Sequence, residues 1–395
     1  MRILLTNHAL SRRAGTELYV RDLALGLLNA GHEPICFSPE LGEVAKEIAS
    51  HGIQTTCDLT AITRPDVIHA HHHNVAALVL SFFPETPALF VCHGVKPWQE
   101  APLARFPNVR KYVAVDEPCR EFLAKALHLP SDQIGLVPNG VDLERYSASA
   151  PALCDPERQR RALLISNIAQ PSDVEPFRQA CVANGITLDF AGAQGLVMDR
   201  PEKALPQYGI VFAKARAALE AMASGCAVIL ADYGQTGPLV TVENFTKLRP
   251  NNFGFRVIDQ SPEVSILSNQ IQSIDWQNAA NVTSIVRQKA GFSDSVFRYL
   301  SLYREISGDI SVSTGQSMAA MQSYLATVIP QLAERDDLAG RLYQEVLSRI
   351  GRDRSLAACI SSVEQDEARW ADLLRRAMTL DPENQTLAEQ LKKRR

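Results

Sequence analysis

One stretch decides the fold: Val211-Phe-Ala-Lys-Ala-Arg-Ala-Ala-Leu-Glu-Ala-Met-Ala-Ser-Gly-Cys-Ala-Val-Ile-Leu-Ala-Asp232. Its pattern predicts a strand, a helix that stops at a glycine, and a second strand. Lys214 and Arg216 fall where the helix is predicted to begin, and Glu220 follows one turn later. A helix N-terminus flanked by cations binds a diphosphate readily, and an ionised carboxylate can accept two hydroxyl donors. The stretch therefore favours a phosphorylated ligand that carries a sugar.

The composition predicts an ordinary globular protein. The chain has 395 residues, enough for two domains and an appendage, and its 46% hydrophobic and 21% charged residues suit a large core. The formal net charge of −4 argues against a nucleic-acid partner.

The cysteines and the apolar runs bear on the compartment. The eight cysteines are scattered singly, with no Cys-x-x-Cys pair, which favours a reducing, cytoplasmic environment. The longest apolar stretches, near Val75–Phe83 and Cys226–Ala231, fall far below membrane-spanning length. Any membrane contact is therefore expected to be peripheral, at the inner face.

Strand and helix patterns alternate on both sides of the opening stretch. Alternation of this kind predicts an α/β fold, here two Rossmann-like domains with a cleft between them and a C-terminal all-helical appendage. The predicted bounds are 1–150, 151–308 and 309–395, with several short antiparallel helices in the last segment. Ligands of such sheets bind at the carboxyl ends of the strands. The polar residues there are the Arg12–Thr16 loop, His71–His73, His93 and Asn139.

Several motifs, taken in order, resemble a known family. They are Ala14-Gly-Thr-Glu17, Asp66-Val-Ile-His-Ala-His71, Cys92-His-Gly94, Val137-Pro-Asn-Gly-Val-Asp142 and Leu219-Glu-Ala-Met-Ala-Ser-Gly225. Over residues 1–308 the set resembles the retaining family-4 glycosyltransferases of the GT-B fold. The resemblance implies an acceptor domain followed by a donor domain. It also implies transfer of a sugar from a UDP- or GDP-linked donor with retention, without metal or another cofactor. The acceptor would be a glycan, a lipid-linked molecule or a protein.

The resemblance assigns roles to individual residues. It implies that Glu220 holds the ribose and that His93 hydrogen-bonds a hydroxyl of the reacting sugar. Gly15 and Thr16 would let the backbone approach the donor phosphates, and Asn139 joins them as a donor-binding candidate. Each also has a simpler interpretation: a solvated helix glutamate, a core or capping histidine, or an ordinary turn glycine.

The chain departs from the family at the sugar. A second glutamate is expected eight positions before Glu220, where Phe212 stands, and the usual basic pair is replaced by Ser166-Asn-Ile-Ala-Gln170. We therefore predict that Lys214 and Arg216 supply the missing cations to the diphosphate and act in catalysis with His93. The alternative is a pair of surface cations at a helix start.

Other classes of function stay open at this point. The consecutive histidines His71–His73 on one strand face alternate sides and cannot all reach one zinc ion, and Asp-x-Asp is missing, so no metal site is predicted. The missing glutamate and basic pair would also suit a catalytically degenerate scaffold, and a nucleotide-sugar epimerase would use the same two domains. The helical tail could mediate homo-oligomerisation, dock a partner or brace the domains.

Overall fold

The architecture consists of two sheets of mainly parallel strands, each flanked by helices. The computed structural model describes residues 1–101, 105–147, 152, 155–166, 169–192, 195, 196, 198, 200–232, 234–308 and 310–350, with backbone alone for 314 and 334–350. Residues 1–321 form one compact unit and residues 322–395 a second.

The first sheet has seven parallel strands in the order β3-β2-β1-β4-β5-β6-β7. They are β1 (Arg2–Thr6), β2 (Glu33–Phe37), β3 (Gln54–Thr56), β4 (Val67–His71), β5 (Ala88–Cys92), β6 (Val109–Ala114) and β7 (Gly135–Leu136). Its helices are α1 (Gly15–Asn29), α2 (Glu43–Ser50), α3 (His73–Phe82) and α4 (Glu117–Leu127). The strand order reverses between β1 and β4, and a crevice opens at such a point beyond the strand ends.

The second sheet has five strands in the order β12-β11-β10-β8-β9, and β12 alone runs antiparallel. The strands are β8 (Arg161–Ile165), β9 (Thr187–Ala191), β10 (Ile210–Ala213), β11 (Ala227–Asp232) and β12 (Gln235–Leu239). Its helices are α5 (Pro156–Gln159), α6 (Pro171–Ala183), α7 (Pro201–Ala204), α8 (Ala215–Ala223), α9 (Val242–Leu248), α10 (Val264–Gln272) and α11 (Trp276–Lys289). The opening stretch thus forms β10, α8 and β11, as predicted.

The chain returns from the second sheet to the first through α12 (Phe292–Ile306), which contacts α1 and β5. At the crossing, the Val141 amide donates to the Ala290 carbonyl at 2.9 Å and the Phe292 amide donates to the Val141 carbonyl at 2.8 Å. We call residues 1–140 with 291–306 the N-terminal lobe and residues 141–290 the C-terminal lobe. The boundaries expected at 150 and 308 stay predictions.

The C-terminal segment is helical, as expected, but differs in form. Its described part is one 37-residue helix, α13 (Thr314–Ile350), rather than several short antiparallel helices. Apolar residues recur along it at helical spacing, a pattern that a single long helix satisfies as well as several short ones. The predicted appendage beyond 350 lies outside the described residues.

Replacing Gly140 by alanine is expected to destabilise the protein. An added Cβ would lie 2.7 Å from the Phe292 Cα, which is backbone and cannot turn aside. Overpacking of this kind costs about 1–3 kcal/mol, measurable by urea unfolding. Gly15→Ala is the matched control, because its Cβ meets nothing within 4 Å. Equal stability of the two variants would show that the crossing tolerates displacement.

Candidate active site

The start of α8 lies at the carboxyl end of β10 and carries no side-chain cap. Lys214 is the N-cap residue in an extended conformation, and Ala215 adopts a φ of 47°, a left-handed value that is rare outside glycine. The Ala215 amide donates to the Phe253 carbonyl at 3.0 Å. An uncapped helix start of this kind attracts negative charge.

Arg216 joins the two lobes. Its Nη2 lies 2.5 Å from Asp22 Oδ2 of α1, and its Nε donates to Glu220 Oε1 at 2.7 Å. Burial alone would lower the pKa of the Arg216 guanidinium, but the Asp22 and Glu220 carboxylates outweigh it and raise that pKa. Arg216 is therefore a permanent cation that already holds two anions.

The Arg216–Asp22 ion pair continues into the N-terminal lobe as a series of alternating positive and negative side chains. Arg21, 1% exposed, binds Asp22 at 2.5 Å and Glu47 of α2 at 3.2 Å, and Arg13 binds Glu47 at 2.7 Å. Burial raises the pKa of Asp22, and Arg216 with Arg21 reverses that effect and leaves it below the ordinary value. The Arg13 guanidinium, in the polar loop before α1, is therefore already paired with the Glu47 carboxylate.

Lys214 is paired as well. Its Nζ contacts Asp232 Oδ2 at the end of β11, while the lysine side chain remains 39% exposed. The two predicted cations therefore sit at the start of α8 as expected, but each has a carboxylate partner within the protein.

Glu220 is buried, with an 11% exposed side chain. Besides Arg216, the Tyr146 hydroxyl hydrogen-bonds its carboxylate. Burial, and then the negative charge of Glu220, raises the pKa of Tyr146, which keeps the phenol protonated and able to donate. Glu220 thus faces the lobe interface, which is inconsistent with a merely solvated helix glutamate.

The environment of Phe212 explains why no second glutamate stands at this position. The residue lies inside β10 with 0% exposure, and its ring packs at 5.1 Å from that of Phe177. A carboxylate there would be buried in the core without a partner, at a cost of several kcal/mol. Position 212 is therefore not at the ligand edge of this chain.

Gly15 and Thr16 begin α1, whose N-terminus also has no side-chain cap. Gly15 is exposed, and a Cβ there would meet nothing, so a ligand has access to its backbone. The Thr16 hydroxyl donates to Glu17 Oε2 at 3.1 Å. Because Asp22 lies on the same helix, the Arg216 ion pair connects the helices that begin at Gly15 and Ala215.

His93 follows β5 and is enclosed by aromatic rings. Its ring centroid lies 4.5 Å from that of Tyr19 and 4.6 Å from that of His71. Burial lowers the pKa of His93 to about 4, so the ring is neutral at pH 7. Its Nε2 is shielded from solvent and has no hydrogen-bond partner in the structure.

The three consecutive histidines do not share one strand as expected, because His71 ends β4, His72 is the N-cap residue of α3, and His73 begins that helix. The His71 Nε2 lies 2.8 Å from the His69 Nε2, and the His69 Nδ1 lies 2.6 Å from the Tyr303 hydroxyl. His72 instead turns to Glu100 at 3.3 Å. Within the described ranges, no group of three or more His, Cys, Asp or Glu side chains is arranged to hold a metal ion.

Asn139 lies at the lobe crossing. Its carbonyl accepts a hydrogen bond from Arg249 Nη2 at 2.6 Å, and its buried Oδ1 has no partner. Burial, with Arg298 nearby, lowers the pKa of Arg249 to about 10. No contact of Asn139 with Lys214, Arg216 or Glu220 is seen within the described part of the chain.

Sequence reasoning missed Asp22 and Glu100. An Arg21-Asp22 pair within the apolar repeat of Tyr19, Val20 and Leu23 was an available signal, because charges on a buried helix face need partners elsewhere. Glu100 carried no local signal, since its loop shows no periodicity.

Comparisons with known proteins agree with this architecture. The chain resembles a glycosyltransferase from Rickettsia africae (15% identity, 77% of this chain and 98% of that chain, TM-score 0.54). It also resembles HepE from Anabaena, solved in complex with UDP (14% identity, 77% and 100% coverage, TM-score 0.56). A third similar structure is the sucrose-phosphate synthase of Thermosynechococcus elongatus (15% identity, 77% and 98% coverage, TM-score 0.50).

No curated protein matches the chain. Among the helices of the described residues, none combines the length and apolar character needed to cross a bilayer. The chain has the two-lobed GT-B fold of solved glycosyltransferases, and its residues 13–145 match the model of Glycosyltransferase Family 4.

Proposed function

We propose that the protein transfers a sugar from a nucleoside-diphosphate sugar, UDP- or GDP-linked, to an acceptor hydroxyl. The observation that carries the proposal is the Glu220–Arg216–Asp22 bridge, which joins a buried carboxylate near the uncapped start of α8 to α1, the helix whose own start is also uncapped. The match of residues 13–145 to Glycosyltransferase Family 4 and the complexes of HepE with UDP and with UDP-glucose support it.

Each side chain has a role in the proposed reaction. Glu220 accepts the ribose hydroxyls, the start of α8 with Lys214 and Arg216 holds the diphosphate, and His93 offers its free Nε2 to a sugar hydroxyl. Fixed cations and helix amides stabilise the charge that develops on a leaving phosphate. They supply that stabilisation without a metal ion or another cofactor.

The chemistry that we propose keeps the anomeric configuration. The bond between the sugar C1 and the β-phosphate oxygen breaks, and the acceptor oxygen bonds to C1 on the same face. The acceptor proton passes to the departing phosphate, which leaves as a nucleoside diphosphate. Closure of the two lobes would exclude the water that otherwise hydrolyses the donor. The acceptor, a glycan, a lipid-linked molecule or a protein, would approach from the N-terminal lobe.

Replacing Glu220 by alanine tests the nucleotide site. We expect the affinities for UDP and for uridine to fall by the same factor, about 10- to 100-fold, because a hydrogen bond to a charged group contributes about 1.5–3 kcal/mol. Calorimetric titration measures both. The control is Glu175→Ala, an exposed glutamate of α6. Unchanged affinity for uridine would remove Glu220 from the ribose site.

A non-catalytic scaffold is the second candidate. One observation favours it: Lys214 and Arg216 are each paired with carboxylates of the protein. Titration of the wild-type chain with UDP-glucose and GDP-mannose separates the two candidates, because a scaffold with an occupied site binds neither.

A further inference from the structure

Glu100 is a buried carboxylate outside the proposed donor site. The loop after β5 folds back through a single helical turn, Trp98–Glu100, in which the Glu100 amide donates to the Pro97 carbonyl at 3.0 Å. The Glu100 side chain is 5% exposed. A carboxylate so buried needs hydrogen bonds or charges to compensate for its lost solvation.

Two donors provide that compensation. The His93 amide donates to Glu100 Oε2 at 3.1 Å, and the His72 Nε2 lies 3.3 Å from Oε1. Burial raises the pKa of Glu100, but the hydrogen bonds from the His72 ring and from the His93 amide lower it below its ordinary value. Glu100 is therefore ionised and accepts from both partners.

The tautomer of the His72 ring follows from the hydrogen bond at its second nitrogen, Nδ1. The His8 amide donates to the His72 Nδ1 at 2.9 Å, so that nitrogen is an acceptor and carries no hydrogen. The ring proton must then reside on Nε2, where it points to Glu100. His72 is neutral and acts as a link between an amide and a carboxylate.

These bonds tie together three neighbouring strand ends. His8, His72 and His93 follow β1, β4 and β5, which are adjacent in the sheet and border its crevice. His72 also has a φ of 57°, a strained value for a residue other than glycine. Strained backbone of this kind persists where surrounding contacts impose it, and here the His8 amide and Glu100 hold both ring nitrogens.

We propose that Glu100 is a positioning residue for His93 in the glycosyl transfer, fixing the His93 backbone so that the ring stays between Tyr19 and His71 with Nε2 free for the sugar. The inference rests on the proposed function. Glu100 itself does not touch the substrate, because its carboxylate is enclosed and both of its oxygens are engaged.

Nitrogen NMR of the full chain labelled with 15N-histidine tests the hydrogen-bond network without any substrate. We expect the His72 ring to carry its hydrogen on Nε2 and none on Nδ1. A ring protonated at Nδ1, or at both nitrogens, overturns the proposal, because the link from His8 to Glu100 then does not exist.

Glu100→Gln tests the effect on the reaction. Its amide nitrogen would face one of the two N–H donors, so one bond is lost. A displacement of about 1 Å at a reacting group can cost about 10²-fold, and we expect that fall in kcat for release of UDP from UDP-glucose, or of GDP from GDP-mannose. The Kd for UDP or GDP should not change, since the nucleotide is held by α8. The control is Glu85→Gln, an exposed residue of the same lobe paired with Arg64.

Unchanged kcat, or a fall matched by an equal loss of nucleotide affinity, overturns the positioning role. If Glu100→Gln does not fold, Glu100→Asp keeps the charge and both oxygens and should lower kcat by a smaller factor, again at unchanged Kd. If the wild-type chain binds neither nucleotide sugar, the proposed function fails, whereas the NMR result still stands by itself.

Discussion

Replacing Arg216 by alanine is expected to lower kcat for donor turnover about 10²- to 10³-fold, the usual cost of removing a group that stabilises the leaving charge. Affinity for UDP should fall by a larger factor than affinity for uridine, because the guanidinium meets the diphosphate directly and the ribose only through Glu220. Calorimetric titration with both compounds isolates the phosphate contribution. Equal affinity of the variant and the wild-type chain for UDP would exclude Arg216 from the diphosphate site.

The same substitution should also destabilise the fold. Removing one member of a buried ion pair leaves its partners uncompensated, at a cost of about 3–5 kcal/mol, and here both Asp22 and Glu220 lose a partner. Urea unfolding measures the loss. Arg178→Ala is the control, because this exposed arginine forms its ion pair, among the described residues, with Glu175 on its own helix. Surface pairs contribute about 0–1 kcal/mol, so the control should change little.

A double-mutant cycle separates the two effects. Asp22→Ala and Arg216→Ala should each destabilise the protein, and the double variant should lose less than the sum of the two, because it leaves neither charge unpaired. Additive losses would mean that the two side chains do not interact in solution.

Acidification should destabilise the protein well before its carboxylates protonate. Burial lowers the pKa of His93 to about 4, from an ordinary value near 6.5 that it regains on unfolding. Between these values the unfolded chain binds the additional proton, so the free energy of unfolding falls as pH falls, by about 3 kcal/mol for this residue. Burial lowers the pKa values of His69 and His71 in the same direction, which steepens the slope.

Urea unfolding at pH 7, 6 and 5 measures this slope. The titratable groups around His93 include Tyr19, His69, His71, His72 and Glu100. The Glu100 carboxylate raises the pKa of His93 against the effect of burial. His93→Asn removes the titrating ring and should flatten the slope by about 1.4 kcal/mol per pH unit. The exposed His51→Asn should leave it unchanged. A flat wild-type profile would show that the histidines remain solvated.

Local patterns predicted much of the fold, because each element carries its own signal. The stretch from Val211 to Asp232 forms the predicted strand, helix and strand, and α8 begins at the predicted cations. The antiparallel direction of β12 had no such signal, since Gly237-Pro-Leu contains turn residues within a strand. The return of α12 depends on contacts such as the hydrogen bond from Tyr19 to Tyr299, at 2.9 Å, between residues 280 positions apart.

The candidate site likewise contains residues that the sequence identifies and residues that only the fold brings together. Lys214, Arg216 and Glu220 are identifiable because they interrupt an alanine-rich helix start. Their partners are not, because Asp22 lies 194 residues from Arg216 and is brought there only by the packing of the lobes. The burial of Phe212 could likewise not be predicted from the sequence, because it becomes evident only from the contact of its ring with that of Phe177 in the folded protein.

The crossing at Val141 and Gly291 has a consequence for how such chains can be recombined. The C-terminal lobe enters and leaves the N-terminal lobe at two neighbouring points, so in connectivity it is an insertion within the other lobe rather than a successor to it. A chimera cut once, after residue 140, would separate α12 from the sheet that it covers. Exchanging residues 141–290 as a block keeps both junctions, so the C-terminal lobe, which carries the proposed nucleotide site, can be transplanted as one unit.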